Sequence, residues 1–347
     1  MVQWLDRLQQ RSRLVGFVLA VIYKYLDDQG TYLAALLTYY AFVSLFPLLL
    51  LLTTTLGVLL WNRPEWRAEI VDSAFSQFPL IGDQLATPES LSGGTTAVVI
   101  GILGALYGGL GVGQALQNAM DTVWAVPKYV RRDPIKSRVH SLLLLIILGS
   151  ALIATTLLTG LGRSAANLGF FGTAGVVAGS IALNTAVCAV AFRVTTVRPL
   201  SWKQVMPGAV IAAVLWQVLQ WFGATYVSHV VASASVTNSV FAIVLGLLAF
   251  LYLVSTALML CAEINVVRVD HLHPRALLTP FTDNVDLTEA DRKAYAGQAE
   301  AQRAKSFQQV DVRFDEQSEG RSGDDAPGPT AGADAVLDRR EADAPGA

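Results

Sequence analysis

Long apolar stretches separated by short polar segments dominate this sequence. The first strong stretch covers residues 33–61 and holds no formal charge, and four more cover residues 139–161, 171–192, 205–227 and 239–267. Each approaches or exceeds the roughly 20 residues that an α-helix needs to cross a bilayer core. Residues 95–120 form a weaker candidate, because an apolar, glycine-rich half is followed by a polar half. The pattern predicts an all-α integral membrane protein with about six transmembrane helices.

A different pattern precedes these stretches. Apolar residues recur at the spacing of one helical face: Leu14, Phe17, Val18, Val21, Ile22 and Tyr25. Lys24 interrupts this run and Asp27 and Asp28 follow it, so a cleaved secretory signal is not expected. We expect an interfacial amphipathic helix on the cytoplasmic side of the membrane.

Basic residues predict the orientation. If the N-terminus is inside, 14 lysines and arginines fall in the inner segments and three, Arg63, Arg67 and Arg163, fall in the outer loops. Because lysine and arginine are retained on the cytoplasmic side, this asymmetry predicts that both termini are cytoplasmic.

The composition changes after residue 282, where large apolar side chains become scarce. Such a segment cannot bury enough surface to offset the entropy lost on ordering. We therefore divide the chain into the interfacial helix at 1–32, a six-helix transmembrane domain at 33–267 and a cytoplasmic, largely disordered tail at 268–347. A short helix is expected between Thr288 and Lys305.

The overall composition narrows the classes of function. Hydrophobic residues make up 53% of the chain and charged residues 15%, an excess that points to lipid as a solvent. The net charge of −2 provides no basic field for phosphates, so no nucleic-acid partner is expected. Cys188 and Cys261 lie in apolar stretches and are interpreted as unpaired core residues.

Three motifs, taken together, resemble one bacterial family. They are Ala34–Phe42 (AALLTYYAF) with Ser44–Leu49 (SLFPLL), the segment Trp202–Ala209, and Ala262–Asn265 (AEIN). They resemble the YihY/BrkB family of bacterial inner-membrane proteins over roughly residues 32–267. The resemblance implies a six-span bundle in the bacterial plasma membrane. Its members carry ribonuclease and virulence labels, neither of which assigns catalytic residues here.

Polar residues at membrane depth are the first candidates for a site, because they are costly there. Spacings of three, four and seven place a set of them on one helical face: Gln114, Gln117, Asn118 and Asp121. These residues are candidates for a polar passage on the cytoplasmic side. The alternative is the hydrated end of a helix that leaves the bilayer.

Glu263 and Asn265 complete the candidate passage near the cytoplasmic end of the last apolar stretch. A carboxylate at that depth must be paired, protonated or hydrated. Glu263 could relay a proton or contact a substrate headgroup. Alternatively, it pairs with an interfacial arginine, for which Arg193, Arg198 and Arg268 are the candidates.

Glycines crowd the segment before the polar residues. Gly104 with Gly108, and Gly109 with Gly113, match the small-xxx-small spacing that lets helix backbones approach closely in lipid. We expect these glycines to serve helix packing.

Pro47 and two tyrosines mark the first apolar stretch. Pro47 removes a backbone donor inside the predicted helix, so we expect a kink near Ser44. Tyr39 and Tyr40 are candidates for substrate contact, although tyrosines also pack and form hydrogen bonds in ordinary bundle interiors.

Recognisable catalytic motifs do not occur in the sequence. It holds no Gly-x-Ser-x-Gly elbow, no His-Glu-x-x-His helix and no compact Asp/His cluster. His271 and His273 are close in sequence, but two ligands at this spacing are weak support for a metal. We therefore expect no enzyme activity, no metal and no cofactor.

Three hypotheses of function follow. The leading one is translocation of, or a passage for, an amphiphilic envelope lipid or lipid-linked molecule, because glycine-rich and proline-kinked helices often line substrate routes. The alternative is a non-catalytic scaffold in envelope maintenance whose tail recruits cytoplasmic partners. A ribonuclease is supported only by the family label. Membrane lipids are the expected partners, and the sequence leaves a homo-oligomer open.

Overall fold

The computed structural model describes residues 6, 12–59, 95–165, 170–233, 236–282 and 285–314. No strand occurs within these ranges, and the regular structure is helical. The α-helices described are α1 (Arg13–Asp27), α2 (Gly30–Leu59), α3 (Thr95–Val123), α4 (Pro134–Ala165), α5 (Phe170–Thr195), α6 (Trp202–Ser233), α7 (Val236–Val269) and α8 (Glu289–Ala301). A short 3₁₀ helix, Lys128–Val130, lies between α3 and α4.

Four of these helices are long and apolar enough to cross a membrane, judged by length and composition over the described residues. Their apolar segments are Pro134–Ala151 in α4, Ala174–Thr195 in α5, Trp202–Gly223 in α6 and Val244–Val269 in α7. α2 contributes a shorter apolar segment, Gly30–Leu45. The prediction of an all-α membrane protein is confirmed, and the count of six spans stays a prediction.

The helices α2 to α7 pack in the order of the chain. Each contacts the next one, and α7 returns to contact α2, so the contacts follow a closed circuit. α3 also contacts α5 and α7. α1 packs against α7 and α2.

α3 approaches α2 closely at two glycines. A Cβ added to Gly104 would lie 2.7 Å from Cγ of Pro47, and one added to Gly108 would lie 2.6 Å from Cα of Ser44. Carbon atoms do not tolerate such distances, so glycine is required for this approach. α2 remains helical through Pro47.

The second glycine pair faces the other neighbour of α3. A Cβ at Gly109 would lie 2.8 Å from Cδ1 of Leu145, and one at Gly113 would lie 2.6 Å from Cβ of Ser141. Both contacts belong to α4. The two small-xxx-small pairs thus lie on different faces of α3, one for each flanking helix.

α1 is buried on one side and exposed on the other. The buried side holds mainly small residues and tyrosines around one lysine: Gly16, Ala20, Val21, Tyr23, Lys24 and Tyr25. The exposed side carries Leu14, Val18, Ile22 and Leu26. The single apolar face that was predicted is therefore divided between the interior and the surface, because the small residues beside it bring α1 close to the bundle.

The chain after α7 folds back onto α1. α8 begins with a capping box, in which the side chains of Thr288 and Asp291 each accept the other's backbone N–H. Ala290, Ala294 and Ala301 are buried. The expected short helix is present. Alanines and ion pairs bury α8 without large apolar side chains. The division of the chain at residues 32 and 267, and the largely disordered tail from residue 268, stay predictions.

The described residues up to Asp311 belong to one compact unit. A second unit begins at Val312, and the structure describes only its residues 312–314. The rest of the expected tail, residues 315–347, lies outside the described residues.

Candidate functional site

A buried ionic cluster joins α1 to α7. The ammonium nitrogen Nζ of Lys24 lies 3.9 Å from Oε2 of Glu263. The same ammonium pairs with Asp28, one turn further along α1, and donates a hydrogen bond to the Val123 carbonyl at 3.2 Å. Lys24, Asp28 and Glu263 are all buried. These three residues are called the Lys24 cluster below.

Glu263 is the least satisfied member of the Lys24 cluster. Its side chain is 0% exposed, and neither carboxylate oxygen has a hydrogen-bond partner within the described residues. Asp28, by contrast, also accepts a hydrogen bond from Nε2 of Gln298 in α8 at 3.1 Å. With one cation and two carboxylates, the fully ionised cluster carries one uncompensated negative charge in an interior that penalises it by several kcal/mol.

Lys24 stays charged in this environment. Burial by itself lowers the pKa of Lys24, but the negative charges of Glu263 and Asp28 outweigh it and hold this pKa above its ordinary value. Val123 is the last residue of α3, so the ammonium also lies at a helix C-terminus, where a cation is favoured. Lys24 is therefore a fixed positive charge near neutral pH.

The ion-pair partner of Glu263 is a lysine of α1 and not one of the three arginines named as alternatives. Each arginine has another contact: Arg198 with Asp270, Arg193 with the Trp202 ring, and Arg268 with the Lys203 carbonyl. The sequence signal for the true partner was Lys24 itself, a charge inside the apolar run of α1 and four residues before Asp28.

Asn265 connects α7 to the first turns of α6. Pro207 lies inside α6 and has no backbone N–H. Next to it, Oδ1 of Asn265 accepts the N–H of Gly208 at 2.8 Å, and Nδ2 donates to the Val205 carbonyl at 3.2 Å. The Asn265 amide is therefore occupied by the backbone around the proline.

The polar residues of α3 form two rows. Gln117 and Asp121 are buried, whereas Gln114 and Asn118 are exposed. The two members of each row are four residues apart and therefore lie on the same side of the helix. The rows themselves are offset by three residues, which turns one row toward the interior and the other toward the surface. The exposed Asn118 accepts a hydrogen bond from Arg131 at 2.9 Å. The single stripe that was expected is thus divided between the interior and the surface.

The buried row fastens α3 to its neighbours. Nε2 of Gln117 donates to Oγ of Ser141 in α4 at 2.9 Å. Oδ1 of Asp121 accepts from Oγ1 of Thr196 and from the N–H of Val197, both at 3.0 Å. These contacts hold α3 against α4 and against the connection between α5 and α6. A passage lined by the four polar residues stays a prediction.

Arg132 closes the C-terminal end of α5. Its guanidinium donates to the carbonyls of Val194, Thr195 and Thr196 at 2.9, 2.7 and 2.8 Å. The last carbonyls of a helix have no partner within it, and a cation there complements the helix dipole. The sequence indicated Arg132 only as a charge that sets topology.

A second buried ionic group joins α1 to α8. Arg275 donates from Nη1 to Asp27 at 2.5 Å and from Nε to Asp291 at 2.6 Å. The guanidinium also lies 5.1 Å from the centroid of the Tyr295 ring. Burial lowers the pKa of Arg275, but the two carboxylates outweigh burial and raise it. Sequence reasoning missed this group because Arg275 and Asp27 are 248 residues apart.

Tyr39 and Tyr40 have different surroundings. Tyr39 is exposed, whereas Tyr40 packs on α3 at Gly111, where an added Cβ would overlap its ring. The two rings meet edge to face with centroids 5.2 Å apart. Substrate contact stays a prediction, and Tyr39 is the accessible candidate.

Groups of three or more His, Cys, Asp or Glu that could hold a metal ion do not occur within the described ranges. Cys188 and Cys261 are free thiols. The expectations of no enzyme activity and no cofactor stay predictions.

The apolar helices and the charges paired between them define a helical membrane protein. The family model described as "Virulence factor BrkB" matches residues 21–280. Because the match covers most of the chain, the chain belongs to the BrkB family, and the resemblance stated from the motifs is confirmed. Lys24, Glu263 and Arg275 all lie within the matched region, whereas α8 follows it.

Two curated relatives are UPF0761 membrane proteins of Stenotrophomonas maltophilia, one from strain K279a and one from strain R551-3. Each is 25% identical over 281 residues, which cover 76% of this chain and 63% of the relative. The chain therefore spans less than two thirds of the length of these relatives. No solved structure matches it.

Proposed function

We propose that the protein crosses the bacterial inner membrane six times, with both termini in the cytoplasm, and translocates an amphiphilic envelope lipid or lipid-linked molecule. The helices α2 to α7 contain 26 to 34 residues each, more than the roughly 20 that a span needs. The basic residues Lys24, Arg132 and Lys203 lie in or beside the connections assigned to the inside, which supports this orientation.

The observation that carries the proposal is the buried Glu263 carboxyl without a hydrogen-bond partner in the described residues. A carboxyl in this state is expensive at membrane depth. Ionisable groups inside membrane bundles mark ion pathways and proton relays. Glu263 is thus the group through which a proton or a cationic headgroup acts on the bundle.

Protonation of Glu263 changes the charge balance of the Lys24 cluster. The charged groups that act on Glu263 are Lys24 and Asp27 of α1 and Asp28, which follows α1. From α3, the neutral Val123 carbonyl contacts Lys24. With Glu263 ionised, Lys24 attracts α7 to α1. With Glu263 protonated, Lys24 and Asp28 form a neutral pair and this attraction is lost. These two protonation states would favour different arrangements of α1 and α7, as alternating access needs.

Reconstitution into liposomes tests the proposal. Fluorescent analogues of the main envelope lipid classes are placed in both leaflets, and an outside quencher reports their exchange. The protein should accelerate exchange of at least one class, and Glu263→Gln should remove the pH dependence of that rate. The matched control is Glu289→Gln, which makes the same change at an exposed position of α8 and should preserve the wild-type profile. Equal rates with and without protein for every class contradict the proposal.

A membrane scaffold is the second candidate function, and the observation that favours it is α8, an ordered element ahead of the tail. A truncation after residue 314 keeps α8 and its contact with Arg275. If the protein is a scaffold, this truncation should abolish its cellular role and leave its fold intact. If the protein is a transporter, the truncated chain should retain lipid exchange.

The ribonuclease label is tested separately. Purified protein is incubated with RNA in the presence of Mg²⁺, Mn²⁺ or Zn²⁺. We expect intact RNA in all three cases, and specific cleavage that is lost in a point variant would establish the enzyme.

A further inference from the structure

α6 carries an exposed apolar ridge along its length. Residues at intervals of four are between 40 and 58% exposed: Trp202, Met206, Val210, Val214, Val218 and Phe222. Positions four apart form an oblique row on a helix surface. The other side of α6 packs on α5 and α7. The ridge therefore faces the lipid around the bundle, and it is called the α6 ridge below.

Tryptophans mark both ends of the α6 ridge. Trp202 begins it, and Trp221, which is 67% exposed, meets Phe222 edge to face at 5.0 Å at the other end. Trp221 lies 19 positions after Trp202, a rise of about 28 Å at 1.5 Å per residue, which is close to the thickness of a bilayer core. Tryptophan prefers the membrane interface, so we expect Trp202 and Trp221 at the two headgroup levels.

Three basic side chains come together near Trp202. The Arg193 guanidinium lies 4.7 Å from the centroid of the Trp202 ring. Lys203 is the next residue of α6 and is exposed. Arg268 of α7 donates to the Lys203 carbonyl at 2.5 Å. Within the described part of the chain, none of the three basic side chains forms an ion pair with a carboxylate.

We propose that Arg193, Trp202 and Lys203 bind the headgroup of an anionic phospholipid whose acyl chain lies along the α6 ridge. Guanidinium and ammonium groups form charge-assisted hydrogen bonds with phosphate oxygens, and Arg268 adds a third positive charge. The indole N–H of Trp202 is a donor at the level of the glycerol backbone. This site lies on the outside of the bundle and is independent of the Lys24 cluster and of transport.

An anionic lipid fits this surface because the surface offers a partner for its headgroup and another for its acyl chain. The phosphate meets uncompensated positive charge at one end of the ridge, and the chain meets apolar side chains over the remaining length of α6. A zwitterionic lipid provides the same chain with a neutral headgroup. Inorganic phosphate provides the charge without the chain.

Delipidated protein in a neutral detergent allows the three ligands to be compared. Native mass spectrometry counts bound phosphatidylglycerol or phosphatidylcholine with identical acyl chains, and thermal unfolding is recorded in parallel. We expect phosphatidylglycerol to bind at least tenfold more tightly than phosphatidylcholine and to raise the Tm. Inorganic phosphate at the same concentration should not change the Tm. A Tm shift from phosphate alone, or equal binding of the two lipids, overturns the proposal.

Variants assign the binding to this surface. Arg193→Gln with Lys203→Gln should weaken phosphatidylglycerol binding at least tenfold. The matched control, Lys128→Gln with Arg292→Gln, removes the same charge from exposed positions outside α6 and should bind like the wild type. Trp202→Leu keeps an apolar side chain and provides a milder variant if the double variant fails to fold. Wild-type binding by both the double variant and Trp202→Leu contradicts the proposal.

Discussion

The side-chain oxygen of Asn265 accepts the backbone N–H of Gly208 at 2.8 Å, across the interface between α7 and α6. The same region of α6 lacks a donor at Pro207, which leaves the carbonyl four residues earlier, that of Lys203, without its usual helical partner. Arg268 donates to this carbonyl at 2.5 Å. Two side chains of α7 thus satisfy the backbone around the α6 proline, and α7 is required for the start of α6 to be fully hydrogen-bonded.

Replacing Asn265 with leucine should lower the free energy of unfolding by about 2 kcal/mol, because two hydrogen bonds to buried backbone groups are lost at about 1 kcal/mol each. Equilibrium unfolding in mixed micelles measures the change. Gln114→Leu, at an exposed position of α3, should change stability by less than about 0.5 kcal/mol. Wild-type stability of the Asn265 variant would contradict the hydrogen bonds described.

The close approach of α2 and α3 predicts the effect of a single methyl group. In Gly108→Ala the added Cβ would lie 2.6 Å from the Ser44 Cα, a backbone atom that cannot rotate away, so a loss of about 1–3 kcal/mol is expected. The control is Gly149→Ala in α4, where no atom lies within 4 Å of the added Cβ. That variant should be neutral or slightly more stable. Equal losses in the two variants would rule out a special approach at Gly108.

The Lys24 cluster predicts coupling between two helices. Lys24→Met leaves Glu263 and Asp28 buried without their cation and should cost about 3–5 kcal/mol. Adding Glu263→Gln should recover part of this loss, giving a coupling energy above about 0.5 kcal/mol in a double-mutant cycle. Lys128→Met, at an exposed position, should show no coupling to Glu263→Gln. Strict additivity of Lys24→Met and Glu263→Gln is the outcome that excludes their interaction.

Asp27 predicts a pH dependence of stability. Burial raises the pKa of Asp27 above its ordinary value of 3.8, although Arg275 beside it acts in the opposite direction. The folded protein therefore holds this proton more tightly than the unfolded chain does. Proton binding by Asp27 therefore adds to the free energy of unfolding. This contribution is fully present below pH 3.8 and is lost as the pH rises through the folded-state pKa of Asp27.

Asp27→Asn removes this titration together with the ion pair to Arg275 that forms when Asp27 ionises. The Tm of the wild type should therefore fall relative to that of Asp27→Asn as the pH rises from about 4. Thermal unfolding in detergent over that range measures the difference. If the Tm difference between the wild type and Asp27→Asn does not vary with pH, Asp27 has the same pKa in the folded and the unfolded chain.

Local patterns were sufficient to predict several elements. The periodicity from Leu14 to Tyr25 predicted α1, and the segment from Thr288 predicted α8, because both signals are contained within a few turns of one helix. The small-xxx-small pairs of α3 identified glycines that lie at close contacts. The sequence could not say that Gly108 faces α2 and Gly113 faces α4, because the choice of neighbour depends on how the helices are arranged.

The partners of the buried charges could not be predicted for the same reason. Pairing of Glu263 with an arginine near the inner surface was one of two alternatives. Its actual neighbour, Lys24, belongs to a helix at the other end of the chain. Arg275 and Asp291 fall in the segment that was expected to be largely disordered, because hydropathy gives no weight to an ion pair buried among alanines. A spacing of three or four residues fixes which groups share a face, whereas contacts across the bundle depend on the complete fold.

The closed circuit of helices has a consequence for biosynthesis. α1 and α2 leave the ribosome long before α7, so Lys24 is made well ahead of Glu263 and cannot be fully enclosed until the last spanning helix inserts. The bundle consequently closes and the Lys24 cluster becomes buried in the same late step of synthesis. A nascent chain that stops short of α7 lacks Glu263, so within the Lys24 cluster Asp28 is then the one carboxylate available to Lys24.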